Sequence, residues 1–248
     1  MEFCKICDPK SKYDDCICNE NFKRFYDTYN SIKKMKNEYS CFNIEKQWSI
    51  STMTVCGSFN CVIDIEKYKQ LFTVDTNKKS FYNSVCINLG VKYQSKPRVS
   101  AKIFTNGNIQ LAGILNVVSA TYAIRKLFSR LCKNDLFKTG EALPFVSNVR
   151  ICMINSDFKI SKNIKQSTFC QILDEEKFDI IKRYSFNPSN YPGINIKYAS
   201  VETDSKANTC SIFRPGSIIL TGGSELLEYK IFMEKIIYIF EKYNNVLY

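Results

Sequence analysis

Two segments of this chain, residues 101–113 and residues 210–222, repeat one pattern of residue types. Each has an Ile-Phe pair, a glycine three residues after the phenylalanine, an apolar run and a second glycine. Each is followed by a long amphipathic stretch. The order strand, tight turn, strand, helix therefore occurs twice, at a spacing too long for a solenoid. We predict two similar half-domains, each built from a sheet and a helix.

The composition is that of a globular chain with one substantial core. The 248 residues are 45% hydrophobic, enough to bury such a core with a small appendage beside it. No apolar run approaches the roughly 20 residues of a membrane span, and the N-terminus lacks a signal-peptide pattern. We therefore expect no membrane partner.

The chain contains no histidine, which removes the most common general base. We find no paired carboxylates at catalytic spacing and no phosphate-binding glycine loop, so we expect that the protein is not an enzyme. The net charge is +11, and residues 49–248 carry 26 basic against 16 acidic side chains. A basic, duplicated region is typical of a protein that binds a polyanion, nucleic acid above all. A lysine-rich solvated surface is the alternative.

The N-terminal residues 1–48 are rich in cysteine and polar residues. The chain has twelve cysteines and no secretory signal, which favours reduced thiols or metal ligands over disulfides. Two short cysteine clips separated by a loop can converge on one tetrahedral zinc ion. The candidate ligands are Cys4, Cys7, Cys16 and Cys18. Four ordinary thiols in a tail are the alternative, and we expect no other cofactor.

Hydrophobic periodicity divides the rest of the chain into residues 49–135, a linker over 136–144, and residues 145–248. Helical spacing of apolar residues predicts long helices over 116–133 and 224–243, and short ones near 66–72 and 164–173. Asn106-Gly107 is a strong signal for a tight hairpin turn.

Several of these motifs resemble the TATA-box-binding protein (TBP) family over residues 50–243. The repeated hairpin is similar to the hairpin of that family, and Ala123–Phe128 resembles its Ala-x-Arg-Lys-aromatic run. Asn148-Val149 and Tyr191-Pro192-Gly193 are similar to its Asn-Ile-Val and Phe-Pro-Gly. The divergent stretch 149–158 resembles the TBP-like proteins of large nucleocytoplasmic DNA viruses.

This resemblance implies an α+β saddle in which two pseudo-symmetric repeats form a curved antiparallel sheet, with helices on the convex face. It also implies a transcription initiation factor that binds and bends AT-rich promoter DNA through the minor groove. Proteins of this family insert apolar wedges between base pairs, at a cost of about a few kcal/mol per unstacked step.

The site residues are carried over from the resemblance position by position. The wedges are Phe104, Phe213, Tyr191 and Ile87, with Phe81 as the competitor of Ile87 and core packing as the alternative role. For base readout the resemblance indicates Asn148 and Thr221, with Thr52 at the position that matches Asn148. Groove-lining positions are Lys102, Gln110 and Ile219, where polar Lys102 and Gln110 predict an asymmetric sequence preference. Arg214, with Lys92 and Arg98, is expected near phosphates.

The implied partners are double-stranded DNA, a B-type initiation factor and RNA polymerase subunits. A viral protein of this kind would act in the cytoplasmic factory or the virion, and any other in the nucleus. The alternative is a protein scaffold within a transcription complex, which has the same fold but little or no sequence-specific DNA binding. The substitutions at Thr52, Lys102, Gln110 and Ala112 favour that alternative.

Overall fold

The structure is a computed structural model that describes residues 44–72, 82–92, 98–138, 144–199, 207–224 and 226–248. The chain forms two compact units. Of the described residues, unit 1 contains Thr52–Cys152, and unit 2 contains residues 44–51 and Met153–Tyr248. The units therefore divide inside two strands, β1 (Ile44–Ser58) and β7 (Ser147–Ile160), whereas the sequence pattern placed its divisions at 49 and 145. The four N-terminal cysteines and Phe81 lie outside the described residues.

Unit 1 is an antiparallel sheet covered by one long helix. Besides its parts of β1 and β7, it contains β2 (Val62–Ile63), α1 (Ile65–Leu71), β3 (Ser84–Gly90), β4 (Arg98–Phe104), β5 (Asn108–Ile114), α2 (Val117–Lys133) and β6 (Phe137–Lys138). The strand order is β3-β4-β5-β1, and β2 pairs with β6 separately. Helix α2 contacts β3 and β5, and its Phe128 ring lies 5.4 Å from the ring of Phe59. The apolar stripe of α2 thus closes the core of unit 1.

Unit 2 repeats this arrangement. Besides its part of β7, it contains α3 (Gln166–Glu176), β8 (Ile181–Asn187), β9 (Tyr191–Tyr198), β10 (Asn208–Phe213), β11 (Ser217–Thr221), α4 (Leu226–Lys242) and α5 (Asn244–Leu247). The strand order is β7-β11-β10-β9-β8. Helix α4 packs on the sheet through Phe232, whose ring stacks on Tyr198 at 3.9 Å. In the described part of the chain, no helix is both long and apolar enough to cross a membrane.

The repeated sequence pattern forms the same hairpin in both units, which confirms the predicted duplication. The carbonyl of Phe104 accepts a hydrogen bond from the Gly107 amide at 3.0 Å, and Phe213 accepts one from Gly216 at 3.0 Å. Gly107 has φ +85° and Gly216 has φ +83°, a conformation that glycine adopts at little cost. The predicted α+β fold with two similar repeats is therefore the fold of this chain.

Each sheet has one face against the helices and one face turned away from them, which we call the open face. Along β4, Val99 and Ile103 are fully buried on the helix side, while Lys102 and Phe104 alternate onto the open face. Along β11, Ile218 and Leu220 are buried and Ile219 is open. Because successive side chains of a strand point to opposite faces, every second residue lies on the open face and is available to a partner.

A buried polar cluster closes the end of the second hairpin. Asn208 is fully buried, and its Nδ2 donates a hydrogen bond to Oε2 of the buried Glu228 at 2.6 Å. The amide of Gly223 donates to Oδ1 of the same asparagine. The Asn208 side chain therefore joins β10 to α4 and to the segment after β11.

We predict that Asn208→Leu lowers the free energy of unfolding by about 2–3 kcal/mol, because it removes a partner from a buried carboxylate and from a backbone amide. Urea denaturation followed by circular dichroism measures the effect. Asn190→Ala, in the exposed turn before β9, is the control and should change stability by less than about 0.5 kcal/mol. Equal stability of both variants would contradict a structural role for the cluster.

Candidate nucleic-acid interface

The open face of unit 1 is built from register pairs on neighbouring strands. Phe104 pairs with Ser84, and Lys102 pairs with both Cys86 and Gln110. Gln110 pairs in turn with Cys56 of β1. Since paired residues in an antiparallel sheet project to the same side, these side chains form one transverse row beside the phenylalanine.

The open face of unit 2 has the equivalent row with different chemistry. Phe213 pairs with Gly193, and Ser211 pairs with Ile219, which in turn pairs with Asp157. Gln110 of unit 1 and Ile219 of unit 2 therefore occupy the same place in the two hairpins. The predicted positions Lys102, Gln110 and Ile219 all lie on open faces.

An aromatic pair projects from one end of unit 2. The rings of Tyr191 and Phe213 lie 5.7 Å apart in an edge-to-face arrangement, and Tyr191 is 42% exposed. A Cβ on Gly193 would lie 3.0 Å from each ring, closer than most Cβ contacts, so glycine gives both rings room at this position. Gln166 donates to the carbonyls of Pro192 at 2.8 Å and Ile212 at 3.1 Å, which fixes the two segments together. The predicted wedges Tyr191 and Phe213 thus sit side by side on a rigid mount.

In unit 1 the position equivalent to Tyr191 is held by Tyr82, not by Ile87. Ile87 is 4% exposed and pairs with Ala101 on the helix side, so the structure contradicts its prediction as a wedge beside Phe104. Tyr82 stands two residues before Ser84, the partner of Phe104, just as Tyr191 stands two residues before Gly193. It is 92% exposed.

A hydrogen bond fixes the Tyr82 segment to the hairpin. The amide of Thr105, next to Phe104, donates to the carbonyl of Asn83 at 3.0 Å. The sequence alone could have identified Tyr82 as the equivalent of Tyr191, by alignment of Tyr82-Asn83-Ser84-Val85 with Tyr191-Pro192-Gly193-Ile194.

The register also changes the set of candidate readout residues. Thr221 pairs with Asn155, and its equivalent Ala112 pairs with Thr54. Thr54 and Asn155 therefore hold equivalent positions in the two units, and two residues before them stand Thr52 and Met153. The strand pairing thus matches Thr52 with Met153 and does not support the predicted match with Asn148. Asn155 is the polar neighbour of Thr221 that sequence reasoning missed.

Asn148 is exposed near the start of β7, and its backbone has a left-handed φ of +51°. It belongs to unit 1, while Thr221 belongs to unit 2. The structure therefore does not place these two predicted readout residues in the same compact unit.

The strands carry basic side chains and hardly any acidic ones. Basic residues on the open faces include Arg98, Lys102, Lys159, Arg183 and Lys197. Among strand residues whose side chains the structure describes, Asp157 is the one acidic residue, and it forms an ion pair with Lys46. Asp64, which lies outside the strands, caps helix α1. The open faces thus offer a positive surface.

Arg150 lies close to Cys56 and Cys152 in unit 1. Burial, followed by the neighbouring Cys152 thiol, raises the pKa of Cys56 to about 12, and Arg150 opposes that shift. Cys56 is therefore an uncharged thiol at neutral pH.

All three predicted phosphate contacts, Arg214, Lys92 and Arg98, are exposed. Arg214 lies in the turn after Phe213 and lines an open cavity of about 400 Å³ with Lys165, Gln166 and Tyr248. Among the described residues, no group of three or more cysteine and carboxylate side chains is arranged to hold a metal ion.

Comparison with known proteins gives one relative and one solved structure of interest. The TATA-box-binding protein-like protein of Acanthamoeba polyphaga mimivirus is 26% identical over 262 residues, which cover 85% of this chain and 68% of that protein. The TBP of Methanococcus jannaschii superposes with a TM-score of 0.56 at 18% identity, covering 79% of this chain and 98% of that one. No protein-family model matches the chain. The structural match confirms the predicted fold.

Proposed function

We propose that this TBP-like protein is a non-catalytic transcription initiation factor that binds AT-rich promoter DNA in the minor groove, bends it and recruits RNA polymerase machinery. The observation that carries the proposal is the pair of equivalent hairpins, each with a phenylalanine on an open face and a tyrosine two residues before the strand partner of that phenylalanine. The names of the relative and of the solved structure support a DNA-binding role in transcription.

The aromatic residues of the two units, Tyr191 and Phe213 in unit 2 and Tyr82 and Phe104 in unit 1, would act as wedges. Unstacking one base step costs about a few kcal/mol, so a wedge must be large, apolar and unable to fold away from the DNA. The pair Tyr191 and Phe213 meets these conditions, because Gly193 lets the rings approach and Gln166 fixes their strands. Tyr82 and Phe104 supply the same residue types in unit 1.

The open faces would attract and orient the duplex. Basic side chains on β4, β8, β9 and β7 can neutralise phosphates, and each neutralised phosphate steepens the dependence of affinity on salt by about one unit in log–log slope. The ion pair with Lys46 offsets the charge of Asp157, which would otherwise repel the DNA.

Polar side chains on the open faces would read the groove. The minor-groove edges of A·T pairs present acceptors alone, so an amide or hydroxyl donor can bind them. Thr221 and Asn155 form one such pair in unit 2, and Asn148 supplies a donor in unit 1. The predicted partners, a B-type initiation factor and RNA polymerase subunits, would then bind the helix side, where α2 carries Arg130 and Lys133 in its last turn.

The test is a titration of the protein with an AT-rich and a GC-rich duplex of equal length at several salt concentrations. We expect the AT-rich duplex to bind at least about tenfold more tightly, since G·C pairs place an unpaired amino group against the sheet. Energy transfer between dyes at the two DNA ends should show bending at saturation.

Two other outcomes contradict the proposal in different ways. Equal affinities with a steep salt slope would leave attraction to the DNA backbone alone. No binding to either duplex would favour the scaffold alternative. The polar residues Lys102 and Gln110 on the open face of unit 1 are the observation that supports that alternative.

A further inference from the structure

We propose that the two halves of the DNA site have different sequence requirements, because Gln110 lets unit 1 accept a G·C pair where Ile219 confines unit 2 to A·T. This inference rests on the proposed function, since it takes the open faces to line the minor groove. It assigns the tolerance of each half-site for a G·C pair at this position to one residue.

The two residues are structurally equivalent. Gln110 pairs with Lys102 on β4, and Ile219 pairs with Ser211 on β10. Both follow a hairpin turn whose glycine has the same left-handed φ. Both side chains are exposed on the open face, Ile219 by 37%. A bound duplex would therefore meet either an amide or a hydrocarbon at corresponding positions.

The chemistry of the minor groove distinguishes these two side chains. Every base pair presents acceptors there, and G·C adds one donor, the guanine 2-amino group. The carbonyl oxygen of a glutamine can accept a hydrogen bond from that amino group, whereas isoleucine would bury it without a partner. Within the described residues the Gln110 amide makes no hydrogen bond, so its oxygen is available to a ligand.

The neighbours of each residue reinforce the difference. Lys102, beside Gln110, brings an ammonium group that suits the acceptors common to all base pairs, and its Nζ lies 5.2 Å from the centre of the Phe104 ring. Beside Ile219 stands Asp157, whose carboxylate is held in the ion pair with Lys46. Unit 1 thus offers both donors and an acceptor around Gln110, while in unit 2 an exposed isoleucine stands between Ser211 and the ion-paired Asp157.

The experiment compares the wild type with two variants that exchange these residues, Gln110→Ile and Ile219→Gln. Four duplexes are used: the AT-rich parent, two with G·C pairs in one or the other half, and one with G·C in both halves. Because the two hairpins are built alike, we expect binding in either orientation. The wild type should then tolerate G·C in one half, with less than about threefold loss, and lose at least about tenfold with both.

The variants should shift this pattern in opposite directions. Gln110→Ile should lose about tenfold already with G·C in one half, and Ile219→Gln should tolerate G·C in both. Inosine in place of guanine removes the 2-amino group and should restore the affinity of Gln110→Ile. Both positions are exposed, and matching thermal unfolding curves confirm that the variants fold.

Failure of this inference differs from failure of the proposed function. If the wild type prefers the AT-rich parent but rejects G·C in one half as strongly as Gln110→Ile does, the inference is wrong and the function stands. Failure of inosine to restore binding also overturns the inference, because the effect would then not come from the amino group. If none of the three proteins prefers the AT-rich parent to a GC-rich duplex, the proposed function itself fails.

Discussion

Replacing Gly216 by alanine should lower the free energy of unfolding by about 3 kcal/mol. The residue has φ +83°, which alanine adopts only with strain. An added Cβ would lie 2.2 Å from the carbonyl oxygen of Ile160 and 2.7 Å from that of Lys162. Both atoms belong to the backbone, so the hairpin would have to move away from the end of β7.

The chain offers a matched control and a parallel case. At Gly90, where φ is not left-handed, an added Cβ would meet only Nζ of Lys126, at 3.7 Å. Gly90→Ala should therefore change stability by less than about 1 kcal/mol. Gly107→Ala, with its Cβ 2.4 Å from the Cys61 carbonyl oxygen, should behave like Gly216→Ala.

Urea denaturation measures these changes in stability. The single tryptophan, Trp48, is buried in unit 2 and reports on that unit by fluorescence, while circular dichroism reports on the whole chain. If Gly216→Ala and Gly90→Ala unfold at the same urea concentration, the hairpin does not need its left-handed turn.

The double variant Phe104→Ala with Phe213→Ala should lose most DNA bending and about a hundredfold in affinity for an AT-rich duplex. The two rings are half-buried on the open faces, so their loss removes the wedges while the helix-side cores stay intact. Energy transfer across a dye-labelled duplex gives the bend, and urea denaturation gives the stability change for comparison.

Two further variants make this result interpretable. Tyr238→Ala removes a ring as exposed as Tyr191, 41% against 42%, but on helix α4, and should leave bending unchanged. Tyr82→Ala removes a ring that is 92% exposed and should reduce bending without loss of stability. If the double variant unfolds and Tyr82→Ala bends DNA normally, the aromatic residues are structural and the wedge hypothesis is wrong.

Features that depend on neighbouring residues could be predicted from the sequence. The long helices expected over 116–133 and 224–243 are observed at Val117–Lys133 and Leu226–Lys242. Their apolar residues recur every three or four positions, which indicates a helix without reference to the rest of the fold. The Asn106-Gly107 turn was predictable for the same reason, because its backbone conformation requires particular residues.

Features that depend on strand register were not predictable in this way. Side chains alternate between faces, so an error of one residue in the register exchanges the core for the open face. Ile87 was predicted as a wedge from the resemblance, and the pairing of β3 with β4 places it in the core. Likewise, the pairs Thr54–Ala112 and Asn155–Thr221 bring Thr52 level with Met153 and not with Asn148.

The sequence alone thus determined that the chain is a duplicated α+β protein with two glycine-dependent hairpins, because turns and helices follow from local residue types. Which side chains lie together on an open face depended on the folded sheets, as for Asn155 with Thr221 and for Lys102 with Cys86. These pairings join residues that are distant in the sequence. Only the register of the folded sheets sets them.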